Sequence, residues 1–220
     1  MNSGSDSCCH CGWVGRVLSS SIGKKVQMAL TGLLLCGFLV THLAGNLFLF
    51  GGREMFNHYA EKLSGNPLLP IAEVGLAALF VLHAVTALRV TWQNRRARPV
   101  GYAKGAWHGG KTPGSATMAV SGILILAFLI IHLKTFRFAP DRSDLYAVVM
   151  AWFQNKLYSG FYVAAMIALG LHLSHGFWSA FQTLGVDHSK YTPWIKCAGK
   201  GFAALIAFGF ASIPIWAVLR

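Results

Sequence analysis

The sequence predicts an all-α integral membrane protein whose five transmembrane helices form one bundle. Of its 220 residues, 55% are hydrophobic and 12% are charged, whereas soluble domains carry about 25% charged residues. Five stretches contain no Asp, Glu, Lys or Arg, and a helix needs about 20 apolar residues to cross a bilayer. Basic residues concentrate between these stretches, as topology signals do. We therefore expect a lipid bilayer as partner, and no nucleic acid despite the net charge of +12.

The uncharged stretches give the spans in order. They cover residues 26–52, 74–88, 112–133, 157–186 and 201–219. The second is short because Glu73 and Arg89 bracket it, but both side chains can reach an interface if the helix extends past them. The predicted helices therefore cover about residues 26–50, 70–92, 116–134, 158–181 and 200–219.

Residues 1–21 form a predicted cytoplasmic tail, and residues 22–220 a single domain. The tail holds Cys8, Cys9, His10 and Cys11. These four residues are too close in sequence for an unstrained four-ligand metal site, which favours a mobile, reduced tail. The spacing of the five cysteines does not indicate a disulfide framework.

The distribution of Lys and Arg predicts the orientation. With the N-terminus in the cytoplasm, twelve of these residues lie on the cytoplasmic side and seven outside, which satisfies the positive-inside rule. The outer loops are then about residues 53–69 and 134–156, and residues 56–63 are predicted to form a short interfacial helix. The protein is expected to be a multi-pass protein with its N-terminus on the cytoplasmic side of the membrane.

Four spans each contain a histidine at a matched depth. His42 and His132 both lie about 24 Å from the cytoplasmic start of their helices, given a rise of about 1.5 Å per residue. His83 and His172 lie about 20 Å from the outer side, on helices that run the other way. A polar group in hydrocarbon is costly, so four such residues indicate function more strongly than one.

An internal repeat supports the same pairing. Residues 31–43 read TGLLLCGFLVTHL and residues 121–133 read SGILILAFLIIHL, with six of thirteen positions identical. The spacing from His42 to His83 is 41 residues and that from His132 to His172 is 40. A parallel repeat about the membrane normal places His42 opposite His132, and His83 opposite His172.

Two stacked histidine pairs inside a bundle indicate two haems b, each with an imidazole on both faces of the iron. A zinc or copper site would want ligands converging at one depth, and the two levels are about 10 Å apart by this spacing. Glycines on the ligand helices would let flat rings approach the backbone, although helix packing explains them equally well. They are Gly32, Gly37, Gly122, Gly160, Gly170 and Gly176.

Three segments carry a family pattern: Ser21, Gly23, Lys24, Lys25, Met28, Ala29, Thr31 and Gly32, then His42 to Asn46, then His172 to Ser179. These residues closely resemble the cytochrome b subunit of succinate dehydrogenase and fumarate reductase, in its single-subunit, five-helix, two-haem form. The resemblance covers the chain from about residue 20 to its end. It implies that His42 and His132 bind an outer haem, and His83 and His172 an inner one. It further implies a quinone, usually menaquinone, and cytoplasmic flavoprotein and iron-sulfur subunits that hold the dicarboxylate chemistry. The chain would thus be part of an enzyme without itself binding the dicarboxylate.

One departure from that family concerns protons. Some fumarate reductases of this type carry a Glu two residues before the fourth ligand, and this chain has Gly170 there. The acidic quinone-site residue of the family's first outer loop has Glu61 as its candidate here, followed by Glu73. His175, on nearly the same face as His172, is a rival ligand that the 40-residue spacing disfavours.

Basic residues near the two surfaces could pair with haem propionates or simply anchor helix ends. They are Lys24, Lys25 and Arg89 on the inner side, and Lys134 and Arg137 on the outer. The alternative functions are the cytochrome b subunit of a hydrogenase, formate dehydrogenase or nitrate reductase, and a transporter or structural anchor with hydrogen-bonded histidines. A redox spectrum separates the last two from any cytochrome.

Overall fold

The computed structural model describes Gly12, Gly15, Arg16 and residues 19–97 and 112–220. Within these ranges every regular element is helical. The helices are α1 (Ser21–Leu47), α2 (Arg53–Ser64), α3 (Leu69–Arg96), α4 (Pro113–His132), α5 (Leu145–Phe153), α6 (Lys156–Thr183) and α7 (Thr192–Val218). A 3-10 turn, Phe48–Gly51, prolongs α1, and a π-helical turn, Leu133–Arg137, prolongs α4. The cysteine cluster of the tail, and most of the connection between α3 and α4, lie outside the described residues.

The five predicted spans are confirmed as helices long and apolar enough to cross a membrane: Ser21–Gly51, Leu69–Arg96, Pro113–Arg137, Lys156–Thr183 and Thr192–Val218. The last begins eight residues before the predicted position 200. Lys196 and Lys200 do not end the helix because their long side chains reach out of the apolar layer. Pro193 lies in the first turn of the helix, where its missing N–H costs nothing.

Side-chain caps fix where three of the spans begin. The Ser20 hydroxyl accepts a hydrogen bond from the Gly23 amide at 3.0 Å. Thr112 and Ser115 form a reciprocal capping box at the start of α4, and the Asn155 side chain accepts from the amides of residues 157 and 158. Each cap satisfies backbone donors that the first helical turn leaves unpaired.

Two short helices cover the end of the bundle opposite the N-terminus. The short helix predicted for residues 56–63 is present as α2, after Gly52, whose φ of 93° is one that glycine adopts readily. α5 was not predicted, because its apolar run is too short to span a bilayer. The Asn57 amide donates to the Asp144 carboxylate at 2.8 Å, and Arg53 lies 3.2 Å from the same carboxylate. We call this set of contacts the Asp144 clamp; it joins α2 to the segment before α5.

α6 is the central helix and packs against α7, α4 and α1, while α3 packs mainly against α1. Two groups of buried apolar residues form the core. One lies near the covered end and includes Leu49, Phe56, Phe153 and Tyr162; the other joins α1, α6 and α7. Large apolar side chains such as Leu34, Val120 and Phe208 are exposed on the surface of the helix bundle. Such a surface suits contact with lipid rather than water.

Candidate functional site

The structure brings the four span histidines together as two pairs. The rings of His42 on α1 and His132 on α4 have centroids 5.9 Å apart, with planes at 88°. The rings of His83 on α3 and His172 on α6 have centroids 6.5 Å apart, with planes at 73°. We name these the outer pair and the inner pair, respectively. These are the partners that the depth matching predicts.

The two pairs lie at different depths in the bundle. Thr31 on α1 contacts His83 and therefore marks the level of the inner pair. His42 lies eleven positions after Thr31 on the same helix, which corresponds to about 16 Å along the helix axis. The separation exceeds the 10 Å estimated from the sequence, because that estimate depended on assumed helix ends.

The ring spacing in both pairs suits a metal ion held between two imidazoles. A metal–nitrogen bond of about 2.0 Å on each side puts two ring centroids about 6 Å apart. No group of three or more His, Cys, Asp or Glu side chains suited to a metal ion occurs in the described part of the chain. Each pair by itself thus offers a metal two protein ligands.

The inner pair is held by hydroxyls at equivalent positions of the internal repeat. Thr31 Oγ1 lies 3.1 Å from His83 Nδ1, and Ser121 Oγ lies 3.2 Å from His172 Nδ1. Both hydroxyl residues are buried. Thr31 opens the first copy of the repeat and Ser121 opens the second. In each half of the protein, the first residue of the repeat therefore contacts the histidine of the following span.

The hydrogen bonds of these hydroxyls favour one position for the proton on each ring. Thr31 donates to the Gln27 carbonyl at 2.7 Å, and Ser121 donates to the Thr117 carbonyl at 2.9 Å. Since each hydroxyl has one hydrogen, its oxygen acts as acceptor toward the ring. This arrangement favours the tautomer of His83 and His172 in which Nδ1 carries the proton and Nε2 keeps a free lone pair.

Glycines pack beneath the same two rings. A Cβ at Gly32 would lie 3.3 Å from His83 Cε1, and one at Gly122 would lie 3.6 Å from His172 Cε1. Both glycines directly follow the hydroxyl residues in the repeat. Of the six glycines singled out in the sequence, these two therefore contact the histidines themselves.

The outer pair has partners of another kind. His42 Nδ1 lies 3.4 Å from the side-chain nitrogen of Asn46, which also donates to the His42 carbonyl at 2.8 Å. His132 Nδ1 lies 3.3 Å from the Tyr162 hydroxyl. Tyr158 lies 3.1 Å from that hydroxyl and 2.9 Å from the Thr135 hydroxyl. A polar network thus continues from His132 toward the covered end of the bundle.

Aromatic rings surround the outer pair. Phe38 stacks on His42 with centroids 5.1 Å apart, and Phe128 stacks on His132 at 5.6 Å. Phe210 contacts His42, and Phe136 contacts His132. These rings surround the outer pair with apolar, polarisable side chains.

His172, rather than His175, faces His83. The ring of His175 instead meets Trp178 edge-on, with centroids 5.1 Å apart. Its Nδ1 is buried, and no hydrogen-bond partner is found for it among the residues that the structure describes. The structure thus separates two histidines that lie only one helical turn apart.

The candidate charged residues are more dispersed than the histidines. Lys24 donates to the Gln93 side chain at 3.2 Å, linking α1 to the end of α3, while Lys25 and Arg89 are exposed. Glu73 forms two hydrogen bonds with Arg137, both at 2.7 Å. Glu61 is exposed on α2, and Lys134 is also exposed.

Gly170 lies against α7. A Cβ there would come 3.0 Å from the Ala207 Cβ. The position at which some fumarate reductases carry a Glu therefore lies in a close contact between two helices here, with little room for a long side chain.

Sequence reasoning missed the histidine partners Thr31, Ser121, Asn46 and Tyr162. The first two could have been found, because they open the two copies of the repeat and a hydroxyl inside a span needs a partner. Tyr158 and Tyr162, four residues apart in an apolar helix, carry a similar signal. No protein-family model, curated protein or solved structure matches the chain.

Proposed function

We propose that this protein is a dihaem cytochrome b membrane anchor. It would pass electrons between the iron-sulfur subunit of a succinate dehydrogenase or fumarate reductase and membrane quinone. The observation that carries the proposal is the presence of two imidazole pairs, at two depths, contributed by four different helices. The residue match from Ser21 to Gly32 and from His172 to Ser179 supports the choice of family.

The donor set fits haem b. The two imidazoles of each pair would be the protein ligands of a haem iron. His83 and His172 would keep Nε2 available, because the Nδ1 atom of each ring lies within hydrogen-bond distance of a hydroxyl. Neutral imidazole with its second nitrogen hydrogen-bonded is the usual state of a metal-binding histidine. His42 and His132 would hold the second haem.

A haem held by both histidines of a pair would supply one-electron transfer and would not bind substrate. The chain's own residues fix the two imidazole pairs about 16 Å apart in depth. The exposed apolar faces of the spans hold this arrangement in the bilayer. Basic residues at the N-terminal end, including Lys24, Lys25 and Arg89, lie where haem propionates or a soluble partner subunit would be expected.

In the proposed orientation the N-terminus is cytoplasmic and the membrane is a bacterial inner membrane. The flavoprotein and iron-sulfur subunits would dock at that end, and quinone, by preference menaquinone, would react near the outer pair. Quinone reduction needs protons. Glu61 is the first candidate to supply them, with Glu73 second, because Arg137 already forms two hydrogen bonds with the Glu73 carboxylate.

Haem content of the protein purified from native membranes tests the cofactor. We expect two haems b per chain by pyridine haemochrome assay, a low-spin reduced spectrum, and co-purification of a flavoprotein and an iron-sulfur protein. One haem per chain would contradict the two-site proposal. A colourless protein would indicate a transporter or structural anchor, and co-purification with a hydrogenase, formate dehydrogenase or nitrate reductase would assign the cytochrome to another complex.

Glu61→Gln tests the quinone site. We expect slower turnover of the complex with a menaquinone analogue while both haems remain, because the amide keeps the shape of the side chain but cannot transfer a proton. Glu54→Gln, in the first turn of the same helix, is the matched control. Unchanged turnover in Glu61→Gln would remove this residue and leave Glu73 as the candidate.

A further inference from the structure

The two halves of the inner pair share one arrangement that the proposed function does not require. In each half, a hydroxyl residue followed by a glycine contacts the histidine of the next span. The two hydroxyls are 90 residues apart in the sequence, yet their distances to the ring nitrogens agree within 0.1 Å. Helix packing by small residues explains the glycine at each position, but it does not explain why each hydroxyl oxygen contacts an imidazole nitrogen.

We propose that Thr31 and Ser121 are positioning residues that hold His83 and His172 in the Nδ1-protonated, metal-binding form and set the electron density of their rings. This inference rests on the proposed haem function. Each hydroxyl, with its own hydrogen committed to a backbone carbonyl, accepts a hydrogen bond from the ring and fixes its rotation. The following glycine, Gly32 or Gly122, leaves space for the ring against the helix.

The strength of the effect depends on the other acceptors near the rings. The Met28 carbonyl also interacts with His83, and the Met118 carbonyl with His172. Loss of one hydroxyl therefore leaves a second acceptor in each half. Partners that orient a metal-binding histidine typically contribute about 10- to 100-fold in metal affinity, and we expect the lower end of this range.

Thr31→Val removes the hydroxyl and keeps the branched shape of the side chain, and Ser121→Ala does the same in the second half. An imidazole that donates less strongly is less electron-rich and binds ferric iron less tightly. If the preference of the two imidazoles for ferric over ferrous iron falls tenfold, the one-electron midpoint potential of the haem rises by about 59 mV. We expect each variant to keep two haems and to raise the potential of one of them.

The haem affected must be the same in both variants, because both hydroxyls act on the inner pair. Redox titration of the α-band measures the two potentials, and low-temperature EPR of the ferric form reports the ring orientations. Thr31→Ser and Ser121→Thr retain a hydroxyl and should restore the wild-type values. Thr41→Val is the control, since Thr41 is exposed on the same helix and donates only to the Phe38 carbonyl.

If Thr31→Val and Ser121→Ala both show wild-type potentials and EPR signals, the inference is overturned. In that case the proposed function still stands if the wild type contains two haems. A shift in the haem that His42 binds would also overturn the inference. Absence of haem from the wild type would instead contradict the proposed function itself. If the Thr31→Val protein does not accumulate in the membrane, Ser121→Ala, which is a smaller change, tests the same inference.

Discussion

The inner and outer histidine pairs are built from the same repeat but are supported differently. In the inner pair, two buried hydroxyls at equivalent positions hold the two rings. In the outer pair, His42 has an amide from its own helix as partner, and His132 has a tyrosine from α6. The inner pair is therefore nearly symmetric, whereas the outer pair is not.

This difference shows which histidine contacts follow the internal repeat. The hydroxyl–histidine contacts join α1 to α3 and α4 to α6, so they are contacts within each half. The support of the outer pair depends on aromatic residues and on the network of Tyr158 and Tyr162, which occurs in the second half only. The properties of the outer pair can thus change without altering the inner pair.

Single histidine variants should break one pair and leave the other. We expect His83→Ala and His172→Ala to remove the same haem, and His42→Ala and His132→Ala to remove the second, because each pair forms one site. His175→Ala, one turn from His172, is the control and should retain both haems. Haem content and reduced-minus-oxidised spectra of membranes measure this. Loss of haem in His175→Ala with retention in His172→Ala would reverse the assignment.

Because the two histidine pairs lie at different depths, electron transfer between them should move charge across part of the membrane. We therefore expect turnover of the complex to be electrogenic. An electron that moves from the inner to the outer level crosses about 16 Å of a hydrocarbon core about 30 Å thick. Work of about 2.3 kcal/mol per elementary charge per 100 mV accompanies full transfer across the membrane, unless protons move with the electrons. Gly170, packed against Ala207, cannot carry those protons.

Proteoliposomes containing the whole complex test this expectation. A potential-sensitive dye should respond to turnover with menaquinone, and an uncoupler should change the rate. Electroneutral turnover would mean that another group carries protons across the bundle and would reject this interpretation of Gly170.

Gly32→Val should damage the inner pair selectively. The added side chain begins 3.3 Å from His83 Cε1, and overpacking of this kind typically costs about 1–3 kcal/mol. We expect weaker binding of the inner haem, measured as its loss at lower denaturant or temperature than in the wild type. Gly37→Val is the matched control, because nothing lies within 4 Å of a Cβ at Gly37. Equal effects of the two substitutions would show that valine acts by a general helix effect.

Tyr162→Phe should give the smallest change, confined to the outer pair. It removes the hydroxyl beside His132 and keeps the ring, and a hydrogen bond of this type contributes about 0.5–1.5 kcal/mol. We expect a shifted midpoint potential for the outer haem only. Tyr191→Phe, at the opposite end of the bundle, should leave both potentials unchanged. A shift in the inner haem would show that the two pairs are not independent.

Much of this architecture could be predicted from hydropathy and spacing. The five spans follow from bilayer thickness, and the pairing of His42 with His132 follows from equal distance along equivalent helices. The partners of the imidazoles could not be predicted in the same way. They depend on the rotation of each helix about its axis, which packing against neighbouring helices sets. α5 was missed because its nine residues contribute to packing and not to spanning.

The Asp144 clamp joins two loops that are 87 residues apart in sequence. The Asn57 amide, the Ala147 backbone amide and the Arg53 charge together hold the pKa of Asp144 below its ordinary 3.8. A carboxylate with a lowered pKa contributes its stabilisation above the ordinary value and loses it only as the pH falls through the lowered one. In the proposed orientation this clamp faces the side that respiration acidifies. Acidification of that compartment to any pH well above 4 therefore leaves Asp144 ionised and the two loops joined.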